Sequence, residues 1–261
     1  MVKPGSDVPF GQARCRGDRE VWRDDKGRIR VCTLRSPVTI AGFSLAGDNY
    51  TWFHDNGVPE QTTLAKGAAI PTPAGVSVAC AAGFASIDRD GRLEGCVLAR
   101  GARFGEVAAR AGGDVSFHSD GALQGAVLDL PISVLGISIP PGTRARFHPS
   151  GRVAELQLDN PVAMAGYVVR STVAFHESGG LSSFTLAEPH RIGTLELEAF
   201  AQVWLYEDGR PWHVELVSDR GFMVHGEPWT DTRKVTFDCS GSVTRDVTEH
   251  YQSDVRPTNF R

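Results

Sequence analysis

Three heptapeptides decide the fold: FHSDGAL at Phe117 to Leu123, FHPSGRV at Phe147 to Val153 and FHESGGL at Phe175 to Leu181. Each runs from an apolar residue through histidine and two polar residues to a glycine, then returns to an apolar residue. Weaker copies are RDDKGRI from Arg23, FHDNGVP from Phe53, IDRDGRL from Ile87, LYEDGRP from Leu205 and FDCSGSV from Phe237. The glycines that set the phase are Gly27, Gly57, Gly91, Gly121, Gly151, Gly179, Gly209 and Gly241, spaced by 30, 34, 30, 30, 28, 30 and 32 residues. A period near 30 is that of a repeat architecture. An independent position tests it. Seven residues after each glycine stand Leu34, Leu64, Leu98, Leu128, Leu158, Leu186 and Leu216, and only the last copy departs, with Thr248.

Each copy reads as strands. Val115 and Phe117, Val173 and Phe175, Val203 and Leu205, and Val235 and Phe237 alternate before the glycine, which places each pair on one strand face. The polar-Gly step is turn chemistry. After the turn, the apolar landmarks two and seven residues beyond the glycine differ in parity, so one straight strand cannot bury both. A bulge or corner must intervene. The second half of a copy, as in PVTIAGF from Pro37, PISVLGI from Pro131 and PVAMAGY from Pro161, opens a short alternating strand with proline and closes it at glycine. The best helical window, residues 104–111, supports one or two turns at most. The expectation is an all-β chain of about eight tandem units, stacked as a solenoid-like or extended antiparallel β-repeat array over residues 20–247. An N-terminal cap segment (1–19) and a polar tail (248–261) flank it.

The copies GTRARFHPSGRVAELQLD from Gly142 and TVAFHESGGLSSFTLAEP from Thr172 resemble a bacterial β-hairpin repeat. Its units read as Gly-Thr, an apolar-x-Phe-His strand, an Asn-Gly-Arg-Leu turn and a Thr-Leu-Ala strand. More distantly they are similar to YwqK-type and MORN-type repeats. The resemblance implies an architecture and an envelope or secreted setting; it implies no reaction.

Of 261 residues, 27 are basic and 31 acidic, for a net charge of −4. That balance lacks the positive field needed to bind nucleic acid, and no apolar run reaches the roughly 18 residues of a membrane span. Four of the five cysteines obey the repeat: Cys32 and Cys96 follow their glycines by five residues, and Cys15 and Cys80 precede the same glycines by twelve and eleven. This phasing pairs Cys15 with Cys32 and Cys80 with Cys96 as disulfides, leaving Cys239 as a free thiol. The alternative is five buried thiols in a cytosolic protein. Disulfides mean an oxidising compartment. The opening MVKPGSDVPF lacks a signal-peptide core, so the expectation is a secreted or periplasmic protein whose leader is absent from this chain.

Three residues before the glycine stand His54, His118, His148 and His176, with Asp24, Asp88, Asp238 and Tyr206 in the other copies. Stacking would line them up, and adjacent imidazoles could ligate a transition metal. Their recurrence is accounted for by polar residues leading into a duplicated turn, so no metal and no cofactor are expected. Asp88 and Asp90 imitate a calcium loop, but Val97 stands where its glutamate should be. No H-E-x-x-H, G-x-S-x-G or P-loop occurs. Off the repeat phase lie His190, His213, His225 and His250; His213 and His225, close in sequence to Glu215, Asp219 and Glu227, are candidates for acid-base work. Trp22, Trp52 and Trp204 each precede a glycine by five residues, on the strand face opposite the core pairs, and Trp212 and Trp229 join them near one end. They read as a stacking surface for a ligand or as caps over terminal units. The first functional expectation is a binding or structural β-repeat protein whose surface takes a protein, glycan or small molecule. The alternative is an enzyme with a His/carboxylate pocket beside the array.

Overall fold

Glycine at a fixed place in a recurring phrase is explained by the backbone it permits. The computed structural model describes residues 6–216 apart from 194, together with 222–224, 227–229, 234–238 and 242–245. In seven copies the glycine N–H donates to the carbonyl three residues back, at 2.8–3.1 Å, and the N–H of that residue donates to the carbonyl just after the glycine. The glycines have φ from 75° to 97°. This is a type I turn closed by a left-handed glycine, a common three-residue hairpin connection.

The parity problem is resolved one step further on. In six copies the ladder skips one residue, three after the glycine: Arg30, Glu94, Gln124, Ala154, Ser182 and Trp212 are bulged, as between the pairs Ser86↔Gly95 and Ile87↔Leu93. The bulge lets Leu93 face inward before it and Cys96 and Leu98 after it. All seven phased leucines are buried, from Leu34 at 0% exposed to Leu158 at 7%.

A second kind of hairpin occupies the rest of each copy. Val38–Ile40 pairs with Phe43–Leu45, Ala102–Phe104 with Val107–Ala109, and Ile132–Val134 with Ile137–Ile139. The first and third turn on Ala41-Gly42 and Leu135-Gly136 with both φ angles positive, the type I′ geometry that matches strand twist. The window 104–111 is thus a hairpin rather than a helical turn, because Gly105 at φ 57° reverses the chain before a helix could nucleate. Returning strands of these side hairpins meet the phased leucines, in the pairs Cys15↔Leu34, Leu45↔Leu64, Cys80↔Leu98 and Ala109↔Leu128. Rings close the layer: Phe104 packs 5.3 Å from Phe117, and Phe10 4.6 Å from Phe53. The longer Gly57–Gly91 spacing is explained by Ala68–Pro71, whose hairpin turns through Thr72–Gly75 instead of through two residues.

That same meeting of strands makes the disulfides. Cys15 and Cys32 are bonded with Cα atoms 5.7 Å apart, and Cys80 and Cys96 with Cα atoms 5.8 Å apart. Two disulfides point to an oxidising, extracytoplasmic environment. Among the described residues there is no helix, and none that could cross a membrane.

The chain forms two compact units, residues 1–157 and 158–261. In the first, Trp22–Arg23, Ile29–Thr33 and Tyr50–Trp52 are antiparallel neighbours. From Gln61–Leu64 the ladder proceeds through Ser77–Ile87, Leu93–Leu98, Asp114–Phe117, Leu123–Val127 and Arg144–Phe147 to residues 153–157 of the strand Val153–Met164. In the second, Tyr167–Phe175, Leu181–Leu186, Gln202–Leu205, Pro211–Glu215, Lys234–Phe237 and Val243–Arg245 follow in turn.

Candidate functional site

Alternation along Tyr50–Trp52 sends Thr51 inward, where its hydroxyl lies 3.2 Å from that of buried Thr62, and Tyr50 and Trp52 outward. Val31 stands in register with Trp22 on one side and Trp52 on the other, so the three share a row on the outer face. The two indoles meet edge to face at 5.8 Å. Val31 beneath them is only 3% exposed, whereas Trp22 and Trp52 are 50% and 41% exposed. Phe84, opposite Thr63, and Ser86, opposite Gln61, lie in the separate larger ladder that includes Gln61–Leu64 and Ser77–Ile87. Tyr50 and Phe84 are each 54% exposed. Three aromatic rings, Trp22, Tyr50 and Trp52, on one face of the three-stranded sheet form an apolar surface of the kind that marks an interaction site.

Several charged groups of this unit are paired with one another or with backbone carbonyls. Arg28 pairs with Asp24 at 2.7 Å and donates to the Asp55 carbonyl, and Asp55 in turn pairs with Arg89 at 2.9 Å. The Asp24 carboxyl is held below its ordinary range by the Arg28 side chain. Arg23 donates to the Gly27 carbonyl and Arg30 to that of Phe53. Beside Phe84 in the ladder stand Gln61, Thr63 and Ser86, and the Ser86 hydroxyl donates to the Glu94 carboxylate at 2.8 Å.

The histidine row has a different task. Nε2 of His54 lies 2.8 Å from the Ile87 carbonyl, that of His118 2.9 Å from Phe147, and that of His176 3.0 Å from Leu205. Each acceptor sits four residues before the next phased glycine, so each imidazole ties its turn to the following copy. A carbonyl only accepts, so Nε2 carries the proton. Aspartate at this position cannot donate. Instead Asp24 Oδ1 accepts from the N–H groups of Lys26 and Arg28, and Asp88 Oδ1 from those of Asp90 and Arg92, capping their own turns. In the Asp24 copy the donor to the next acceptor, Phe53 O, is Arg30. Among the described residues no three metal-ligating side chains cluster.

The off-phase candidates lie in the second unit. His213 is buried, 4.8 Å from the Trp204 ring and 6.0 Å from that of Trp212. Glu215, two residues along the same strand, is exposed and faces Gln202 and Lys234 across the ladder. His190 packs against Tyr167 with ring centroids 4.8 Å apart and planes tilted by 51°. His225, Asp219, Cys239 and His250 lie outside the described residues. Trp204 belongs to this unit, and Trp229 lies on Glu227–Trp229. An open depression of about 340 Å³ in the first unit is lined by Phe10, Gly11, Gln12, Thr39, Ile40 and Ala41, none of them titratable.

Sequence reasoning singled out Trp22 and Trp52 but not Tyr50 or Phe84. Both stand seven residues before a phased glycine, with the same parity as the tryptophans, and that phase was the available signal.

No family model and no curated protein matches the sequence. Among solved structures, one chain of the TcdB2–TccC3–Cdc42 crystal structure aligns with 85% of this chain at 12% identity. This chain spans 14% of that one's length, and with a TM-score of 0.17 the alignment supports no inference about fold or activity.

Proposed function

We propose that the protein is a non-enzymatic, secreted or envelope-associated β-repeat protein that binds a partner through the outer face of its first unit. In this reading about eight units stack in series, and the resemblance to bacterial β-hairpin repeats describes their common ancestry. The observation that carries it is the exposure of Trp22, Tyr50 and Trp52 on one face of the three-stranded sheet. The recurring turn, the forward-reaching histidines and the two disulfides support a rigid support for that face. The burial of His213 between indoles argues against a His/carboxylate pocket at His213 and Glu215. Co-sedimentation with isolated bacterial envelope fractions tests the proposal. The native chain should pellet with envelope material, and a variant carrying Trp22→Ala and Trp52→Ala should stay in solution. Equal pelleting of both would remove the aromatic face from the reading.

A further inference from the structure

We propose that Asn56 is a self-modifying residue: when the tie between the Gly57 and Gly91 turns opens, its side chain closes on the Gly57 nitrogen, expels ammonia and passes through a succinimide to aspartate or isoaspartate. The sequence supplies the reactants. The four asparagines precede Tyr50, Gly57, Pro161 and Phe260. A β-carbon on the following residue crowds the approach of its nitrogen, and a proline nitrogen has no proton to lose. Gly57 presents neither obstacle. Asn56 is exposed, and a Cβ at Gly57 would meet nothing within 4 Å, so water and hydroxide can reach the reacting atoms.

The fold withholds the reaction by engaging the atoms it needs. The Gly57 N–H donates to the His54 carbonyl at 3.0 Å. The Asn56 amide is fixed at both ends: Oδ1 accepts from the Val58 N–H at 3.1 Å, and Nδ2 donates to the Arg89 carbonyl at 2.8 Å. A backbone N–H only donates and a carbonyl only accepts, so this amide cannot flip without losing both bonds. Arg89 lies 33 residues on, in the turn of the next copy. Two more contacts join the same two turns: His54 Nε2 lies 2.8 Å from the Ile87 carbonyl, and Arg89 pairs with Asp55 at 2.9 Å. Cyclisation therefore requires this junction to part, and its rate follows the population of the open form.

The step balances with water as its co-reactant. Hydroxide takes the Gly57 proton, the nitrogen bonds to Asn56 Cγ, and Nδ2 leaves as ammonia. Water then opens the ring at Cγ, giving aspartate, or at the backbone carbonyl carbon, giving isoaspartate. An aspartate can still cap the turn, as Asp120 does for the Ala122 N–H, but it cannot donate to the Arg89 carbonyl. Isoaspartate adds a carbon to the main chain of a three-residue turn. Either product lacks the tie that delayed its formation.

The test incubates the full chain at mildly alkaline pH in water enriched in heavy oxygen, both folded and in urea with reductant. Peptide mass spectrometry then locates the label and any isoaspartate. In urea Asn56 should convert ahead of Asn49 and Asn160, and in the folded chain at least about tenfold more slowly. His54→Ala removes one tie of the same junction and should raise the folded-state rate about fivefold, the share of one hydrogen bond. His118→Ala removes the equivalent tie at another junction and should leave the rate unchanged. Should His54→Ala fail to fold, Arg89→Ala, which removes the pair with Asp55 but keeps the carbonyl, should raise the rate by a smaller factor. Conversion in urea no faster at Asn56 than at Asn49 overturns the site. Equal rates in the folded and unfolded chain, or a folded-state rate that the folded variants leave unchanged, overturn its control by the junction.

Discussion

The copies around Gly27 and Gly91 differ from those around Gly121 and Gly151 in what joins the side hairpin to the main strand. In the former the returning side hairpin is joined to the main strand by Cys15–Cys32 and Cys80–Cys96. In the latter the same offsets hold Ala109 with Ala126 and Ile139 with Leu156, all buried. A covalent bond, two methyl groups and two branched aliphatic chains occupy equivalent places. The turn with its left-handed glycine and the bulge three residues later are common to all four. Local backbone geometry therefore sets the unit, and the core chemistry beneath it is exchangeable.

The largest effect expected from that view is an exception to it. Gly121 and Gly151 have nearly the same φ, 88° and 82°. A Cβ on Gly151 would meet nothing within 4 Å, whereas one on Gly121 would fall 2.6 Å from Ala74 Cβ in the Thr72–Gly75 turn. Gly151→Ala should cost about 1–2 kcal/mol for the left-handed backbone alone. Gly121→Ala should cost about 1–3 kcal/mol more, for overpacking. Equal urea midpoints for the two variants would mean that the Ala74 turn does not seat on Gly121.

The exchangeability itself can be tested with a double variant, Ala109→Cys with Ala126→Cys. Its separation of 17 residues equals that of Cys15 and Cys32. A third disulfide should form and add about 2–3 kcal/mol under oxidising conditions. Free thiols at both positions in non-reducing mass spectrometry would show that the two copies are not equivalent.

Smaller effects should follow from the histidines. His118→Ala removes the donor to the Phe147 carbonyl and should cost about 1 kcal/mol. His118→Asp should not restore it, since a carboxylate does not donate, although it can cap its own turn as Asp88 does. Equal stability of His118→Asp and the native chain would place the value of this position in turn capping.

The smallest effect concerns Arg16, which joins Asp18 and Asp48, both at 2.6 Å. Hydrogen bonding by the Arg16 side chain lowers the Asp18 carboxyl to about 2. A carboxyl depressed in the folded state stabilises it above the unfolded value, about 3.9, and that contribution is lost as pH falls toward 2. The stability difference between the native chain and Arg16→Ala should therefore shrink over that interval. A difference that is constant with pH would locate the role of Arg16 in packing. These groups are exposed, so the change should be slight.

What was legible in the sequence is what short-range chemistry encodes. The phased glycines, the leucines seven residues on, the need for a bulge and the cysteine phasing all follow from φ preferences, strand parity and a constant period. The chain around Phe104 misled only in allowing a helical turn where Gly105 reverses the strand. What His118 does was not legible, because its acceptor is 29 residues away and belongs to the next copy. The joining of Tyr50 to Trp22 and Trp52 was equally hidden. Parity tells which face a side chain takes, but only strand order and register decide which side chains share that face as neighbours. The amino-acid sequence by itself determined the unit, since a turn and its bulge need only a few adjacent residues. The tertiary structure decided the site, since an outer face is assembled from strands that only the ladder brings side by side.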